Sequence, residues 1–426
     1  MPTTGLRHEV VHVNAFRAAL VAQFYWPEPL GTATYTTDLA RGMVNTQDWA
    51  LSVITGEPYY PNFEKHPHYL QRVPKEIVDG VEVNRVWTHV PRPTSAVSRL
   101  VSEVNFVVQS IIALLRRRIR RYPLVVSFAP GVAAIIVGHL VRARNGRHMS
   151  IVHDISSALA GSTGLAPGKR MQALLQRIEA GALNRSDVVV ALSPQMAKVL
   201  RSMGVTTPIE IVPLWIRQPV LDGPLPLPQG PPRVLYSGSL ARKHGLHRLV
   251  SLAQRLEQSM PEARLRIQGE GPLLQELERL VVSRGVGTVE FRALTPEGEL
   301  RQSLAAGRVH VVPQEPGSAD FAVPSKVLTS LACGRPVVTT ARPGSPLHDL
   351  SIRCSAVTCV DPEDSDALHR AVLDRLIDDE LYSREARVAC TFVRDHHQRR
   401  PLIEALLELL VDKPASLKAD PTNNPA

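Results

Sequence analysis

Residues 216–232 read IRQPVLDGPLPLPQGPP, and on either side of them the chain repeats one pattern. Six prolines and two glycines in this stretch remove backbone donors and favour bends over regular elements, so it reads as an interdomain linker, placed at 218–232. Before it, apolar or β-branched runs (ALVAQFY, ALSVITG, VEVNRVW, LVVSFA, HMSIVHD, DVVVALS, IEIVPLW) alternate with helix-period segments such as YTTDLARGMV, GVAAIIVGHLVRAR and GKRMQALLQRIEAGAL. After it the alternation restarts with RVLYSGS, RLRIQGE, TVEFRA, RVHVVPQ, PVVTT and AVTCVDP. Strands alternating with helices predict parallel sheets covered on both faces, hence an α/β chain of two doubly wound domains, 17–217 and 233–385. A flexible leader over 1–16, a first strand around Ala18 to Phe24 and a disordered polar tail over 412–426 complete the expected layout.

Composition agrees with two cores. A chain of 426 residues exceeds one ordinary core, and 44% hydrophobic content with a mean hydropathy of −0.04 suits a soluble globular class. Pro27 and Glu28 interrupt the N-terminal apolar run before it could span a bilayer, and no transmembrane helix is expected elsewhere. The 49 basic residues exceed the 40 acidic ones, giving +9, which suits phosphate-bearing ligands or anionic lipid. With aromatics at 5% and no zinc-finger or RNP-type signature, no nucleic-acid partner is expected. The four cysteines, Cys333, Cys354, Cys359 and Cys390, lack CxxC spacing, so a reducing cytosol, no disulfides and no zinc site are expected.

Ligands of doubly wound domains bind beyond the C-terminal strand ends, so the loops there carry the functional reading. In FYWPEPLGTATYTTDLARG, Gly31 and Thr32 precede a helix whose free N–H groups can meet a phosphate or sugar oxygen. In LYSGSLARKHGLHRL, Gly238 and Ser239 end a strand, and Arg242 and Lys243 add two cations beside a helix start, a good diphosphate site. In VPSKVLTSLACGRPVVTT, Pro324 preorganises a helical turn, Ser325 offers a hydroxyl, and Lys326 sits where the helix dipole disfavours a cation. A lysine held against the dipole implies an anion between them, and Gly334 lets the chain turn into the next strand. His153 and Asp154, ending SIVHD, are a polar pair able to hydrogen-bond a sugar or orient a hydroxyl. Residues 97–123, VSRLVSEVNFVVQSIIALLRRRIRRYP, join an apolar helical run to five arginines among six residues, the pattern of a basic membrane-surface element.

These loops, together with SVITGEPYYP, SIVHDISSALAGSTG, DVVVALSPQMAKVLRSMGV, IQGEGPLLQELERL and VDPEDSDAL, resemble the GT-B glycosyltransferases, within them the retaining family 4 enzymes of capsular and exopolysaccharide synthesis. The resemblance implies two Rossmann-like domains facing across a cleft, with helices over 386–411 returning to the N-terminal domain. It implies a UDP- or GDP-linked sugar donor held by the C-terminal domain and a saccharide, lipid-linked or small-molecule acceptor held by the N-terminal one. By position, Gly31 and Thr32 would face donor phosphates and sugar, Arg242 and Lys243 the diphosphate, Gly269 and Gly271 the base, and Ser325 and Lys326 the donor loop. Many relatives carry two glutamates where this chain has Phe321 and Thr329, leaving Asp320 or Glu315 as the carboxylates at hand. They also carry Asn-Trp where this chain has Leu214 and Trp215. No cofactor or metal is implied, and the location implied is cytoplasmic, peripheral on the plasma membrane. A nicotinamide-dependent oxidoreductase would need GxGxxG after a strand, which YSGSLARKHG lacks. An epimerase of the same fold and a non-catalytic nucleotide-sugar-binding subunit remain as alternatives.

Overall fold

The structure is a computed structural model that describes residues 16–29, 31–45, 49–60, 62–69, 75–92, 96–157, 169–217, 223–315 and 323–411. The N-terminal sheet is built from β1 (Phe16–Val21), β2 (Trp49–Gly56), β3 (Lys75–Val78), β4 (Val81–Val86), β5 (Tyr122–Ala129), β6 (Arg142–Val152), β7 (Val188–Ala191) and β8 (Ile209–Ile211). Its order is β3-β4-β2-β1-β5-β6-β7-β8. Every pairing is parallel except β3 with β4, an edge hairpin turned at Asp79 and Gly80, both with positive φ. The C-terminal sheet comprises β9 (Arg233–Ser237), β10 (Arg264–Gln268), β11 (Val289–Arg292), β12 (Val309–Val312), β13 (Val337–Thr340) and β14 (Val357–Val360), in the parallel order β11-β10-β9-β12-β13-β14. Strand order reverses at β1 in one sheet and at β9 in the other, and crevices for ligands open at such reversals. The loops read as functional after Phe24 and after Ser237 therefore leave the two switch points.

Three helices share one face of the first sheet. Among them α3 (Val132–Val141) lies on β1 and β5 between α2 (Ala96–Leu115) and α4 (Lys169–Leu183). The opposite region receives α1 (Gly31–Asn45), and α5 (Pro194–Ser202) follows β7, its N-cap Ser193 accepting from the Met196 N–H at 3.0 Å. The second sheet carries α6 (His247–Ser259), α7 (Leu274–Ser283), α8 (Leu300–Ala305), α9 (Ser325–Ala332), α10 (Pro346–Arg353), α11 (Ser365–Ile377) and α12 (Asp379–His396). The last helix, α13 (Arg399–Val411), lies on α1, β5 and β6, so the chain does cross back. The crossing falls at His397 rather than at 386, because α12 runs unbroken through 386 while lying against α9 of the C-terminal domain. A continuous buried cluster joins the domains there, from Trp215 and Ile216 through Val327 and Leu331 to Leu406 and Leu410.

Other boundaries differ for local reasons. β1 starts at Phe16, whose ring lies 5.3 Å from Trp49 on the neighbouring strand, and ends at Val21 before the loop that turns at Tyr25. The helix expected through GVAAIIVGHLVRAR stops at Val141, since Arg142 turns extended and pairs with Asp187 at 3.0 Å. The linker is held by Arg335, just before β13, which is 1% exposed and donates to the carbonyls of Leu225 and Pro226 as well as of Ala305, fixing that segment to the C-terminal domain. The expected leader and tail, and 218–222 of the linker, lie outside the described residues.

α2 corrects the expectation that no helix could span a membrane, since Val97–Leu115 is long and apolar enough by length and composition. In the fold it belongs to the N-terminal domain: Ser102, Phe106 and Ser110 are buried against the sheet side. Val97, Leu100, Val101, Val104, Val108, Ile111 and Leu115 are exposed in a stripe, and the arginine run 116–121 follows.

Candidate functional site

At the C-terminal switch point three backbone loops meet. The Gly238 N–H donates to Gln268 O at 2.9 Å, Leu240 N to Glu270 O at 2.8 Å, and Leu273 N to Leu240 O at 3.1 Å. These contacts leave no room for side chains: a Cβ on Gly269 would collide with Gly238 O, and one on Gly271 would lie 2.5 Å from Leu240 O. Lys326, on the first turn of α9, extends its stem back over β9. Its Nζ donates to the Tyr236 hydroxyl at 2.8 Å and sits 4.7 Å from that ring's centroid. Tyr236 in turn donates to Ser239 O at 2.6 Å, and burial raises its pKa, so it stays a neutral donor. Gly238, Ser239, Gly269, Gly271 and Lys326 thus meet at one loop junction, with Ser325 next to Lys326 at the start of α9. The cation there can meet an anion that also caps the start of α9, where Pro324 supplies no side-chain cap.

Not every expected residue joins them. Arg242 opens a short 3₁₀ turn (Arg242–His244) closed by Gly245, and its side chain is 86% exposed, 3.8 Å from Glu276. Lys243 has its backbone in that turn; its side chain, like residues Asp320 and Phe321, lies outside what is described. Glu315 is ion-paired to Arg248 at 2.7 Å, and the Thr329 hydroxyl donates back to Ser325 O at 2.8 Å within its own helix.

At the N-terminal switch point Gly31 begins α1 and a Cβ on it would meet nothing within 4 Å, while Thr32 is buried. His153, just past the end of β6, is held between Tyr35 and Phe128, each ring centroid 5.5 Å away. Its two ring nitrogens are sealed from solvent and find no hydrogen-bond partner among the described residues, and Asp154 Oδ2 stands 3.7 Å from Nδ1. A half-buried imidazole whose ring nitrogens are not committed to a hydrogen bond can take a polar ligand atom. The sequence reading overlooked Tyr35, which is 4% exposed and joins the halves: its ring touches His153 and Trp215, and its hydroxyl hydrogen-bonds the Ser325 side chain. Burial holds that hydroxyl protonated. Glu28 was also passed over except as a break in the N-terminal apolar run. It is 5% exposed, Oε1 accepts from the Tyr59 and Tyr60 N–H groups at 3.0 Å, and desolvation pushes its pKa up to about 7. The signal for Tyr35 was its place three residues before Asp38 on an apolar-faced helix; for Glu28 nothing but its charge in an apolar loop marked it.

Two parallel-sheet domains, with their switch-point loops and a returning C-terminal helix, define the GT-B fold. Residues 31–215 match the family described as "Glycosyl transferase 4-like domain" and residues 231–379 match "Glycosyl transferases group 1". The chain belongs to this glycosyltransferase 4-like class. It is 27% identical over 371 residues to WcaI of Escherichia coli (strain K12), assigned to colanic acid biosynthesis as a glycosyl transferase, covering 83% of this chain and 90% of that one. Its fold is similar to sucrose-phosphate synthase from Thermosynechococcus elongatus (TM-score 0.72, 19% identity, 92% and 98% coverage). It is also similar to Anabaena HepE solved with UDP and glucose (TM-score 0.65, 15% identity, 93% and 99% coverage). The chain is a glycosyltransferase.

Proposed function

We propose that the protein transfers a hexose from a UDP- or GDP-linked donor to a lipid-linked saccharide at a membrane surface, with retention and without a metal. Lys326 carries this reading, because it holds a cation against Gly238 and the Tyr236 hydroxyl, at the end of β9 and beside the start of α9. The donor diphosphate sits there, its charge met by Lys326, by the free N–H groups of α9 and by Arg242 and Lys243 as they swing in. The bond from the anomeric carbon to the diphosphate oxygen breaks while a bond to the acceptor oxygen forms on the same face. The acceptor proton passes to the departing phosphate oxygen, so no dedicated base is needed. His153 hydrogen-bonds the transferred sugar and Asp154 orients it, with Gly31 and Thr32 leaving space beside the phosphates. Gly269 and Gly271 border the base.

The choice of a lipid-linked acceptor is supported by α2, whose exposed apolar stripe and following arginines suit an anionic bilayer. Such docking would keep the protein cytoplasmic and peripheral. The test is a thermal-shift comparison of UDP with GDP, followed by transfer assays with the matching sugar nucleotide in the presence of EDTA. Failure of both nucleotides to raise the melting temperature refutes the donor assignment. Loss of transfer in EDTA refutes metal independence, and indifference to anionic liposomes at low salt refutes docking.

A further inference from the structure

The loop after β2 has no part in the chemistry above, yet it is held as firmly as the site itself. Glu57 N donates to Thr88 Oγ1 at 2.8 Å, its carboxylate pairs with Lys65 at 2.9 Å, and Tyr59 and Tyr60 are clamped to Glu28. Rings line up along it: Phe24 to Tyr59 at 6.0 Å, Tyr59 to Phe63 at 6.2 Å and Phe63 to Tyr60 at 5.8 Å. Phe63 has φ of +57°, a left-handed conformation that costs a bulky residue energy and that persists where surroundings enforce it. Tyr59 is buried, but Phe24, Tyr60 and Phe63 are only half-buried. At its far end Tyr60 feels the carboxylate of Glu270, which lies between Gly269 and Gly271 in the opposite domain. The row therefore runs from Phe24, just past the end of β1, to Tyr60, the ring within electrostatic reach of the C-terminal domain.

We propose that this aromatic row is the seat of the acceptor, taking a pyranose ring whose C–H face stacks on Phe63 and Tyr60. It rests on the glycosyltransferase reading and names the acceptor's chemistry. The half-exposed rings supply stacking area, and the Glu57–Lys65 pair supplies a hydroxyl acceptor and donor at the loop base. An isoprenoid chain would require an apolar trough, whereas this loop carries the buried carboxylate of Glu57 and packs on a second, that of Glu28 in the loop after β1.

The experiment is ligand-observed saturation-transfer NMR on the full chain with saturating UDP or GDP. The probes are methyl α-glucopyranoside, methyl α-galactopyranoside, methyl α-mannopyranoside and farnesyl phosphate. At least one pyranoside is expected to show transfer to its ring C–H protons, weakened roughly fivefold or more by Phe63→Ala and retained by Phe63→Trp. Melting curves of both variants verify folding. Pyranoside signals that survive Phe63→Ala, or farnesyl phosphate binding in a Phe63-dependent way without any pyranoside, overturn the proposal. A wild-type chain that binds neither nucleotide overturns the reading beneath it, and the acceptor seat falls with that reading.

Discussion

Trp215 donates from its indole Nε1 to Asp38 Oδ2 at 2.6 Å, and Arg399 donates to the same oxygen at 2.8 Å. Trp215 lies on the segment leaving the N-terminal domain and Arg399 on the segment returning to it. One carboxylate on α1 thus seats both crossings. His397 adds a second stitch, its Nδ1 donating to Leu214 O at 2.7 Å. Replacing Asp38 with Ala leaves a buried indole N–H and a half-buried guanidinium without their acceptor, a cost of about 2 kcal/mol. A melting temperature lowered by a few degrees, with a larger radius of gyration in small-angle scattering, is the expected result; an unchanged radius would show that Asp38 does not set the domain arrangement.

If Lys326 meets the donor charge as proposed, Tyr236 acts by holding Lys326, so their variants should be ranked. Lys326→Ala is expected to lower donor turnover by roughly 10². Tyr236→Phe, which keeps the ring under the ammonium but drops the hydroxyl, should lose less. Steady-state rates with the donor chosen by thermal shift decide this, and a Lys326→Ala enzyme within threefold of wild type rejects the role.

Tyr35 and Ser325 are bonded across the two domains, so their effects should not add. Tyr35→Phe and Ser325→Ala are each expected to slow turnover, and the double variant should be little slower than either single one. Additive losses in this cycle would mean that the contact is incidental.

Glu28 gives a pH signature with a defined sign. Its folded pKa of about 7 lies above its ordinary value of 4.5, so the folded state binds the extra proton between these values. Its contribution is fully present below about pH 4.5 and is lost as pH rises through about 7. Glu28→Gln keeps a carbonyl oxygen for the Tyr59 and Tyr60 N–H groups but cannot ionise. The melting temperature of Glu28→Gln relative to wild type should therefore rise by a few degrees between pH 5 and pH 8; the same difference at both pH values would contradict the raised pKa.

On α2, Val104 and Val108 are exposed and contribute little to folding. Changing both to Glu should leave the melting temperature within about a degree while reducing flotation with anionic liposomes several-fold. Undiminished flotation would place the membrane contact elsewhere.

The strands were legible because those buried on both faces read as unbroken apolar runs, VVVA and VHVV among them. β3 was not, since KEIV is a half-exposed edge strand; the Asp79-Gly80 pair that turns it into β4 was the available clue. Lys326 stood out by opposing a helix dipole, a purely local conflict. Its partner Tyr236 lies 90 residues earlier, and Asp38 meets Arg399 across 361 residues, so no spacing rule could have paired them. Thr329 illustrates the converse: its hydroxyl is spent on Ser325 O, one helical turn away, which only coordinates reveal. The exposed stripe on α2 was readable from periodicity, but which face the domain would cover was not.

Because α13 closes against α1, β5 and β6, the N-terminal domain is not a contiguous piece of chain. During synthesis its sheet can form long before its last helix exists, so α1 waits with Gly42 facing the gap that Ile403 will fill. Maturation of this domain is thereby timed to the completion of the other, and neither a fragment ending at the linker nor a chimera joined there would carry a finished first half.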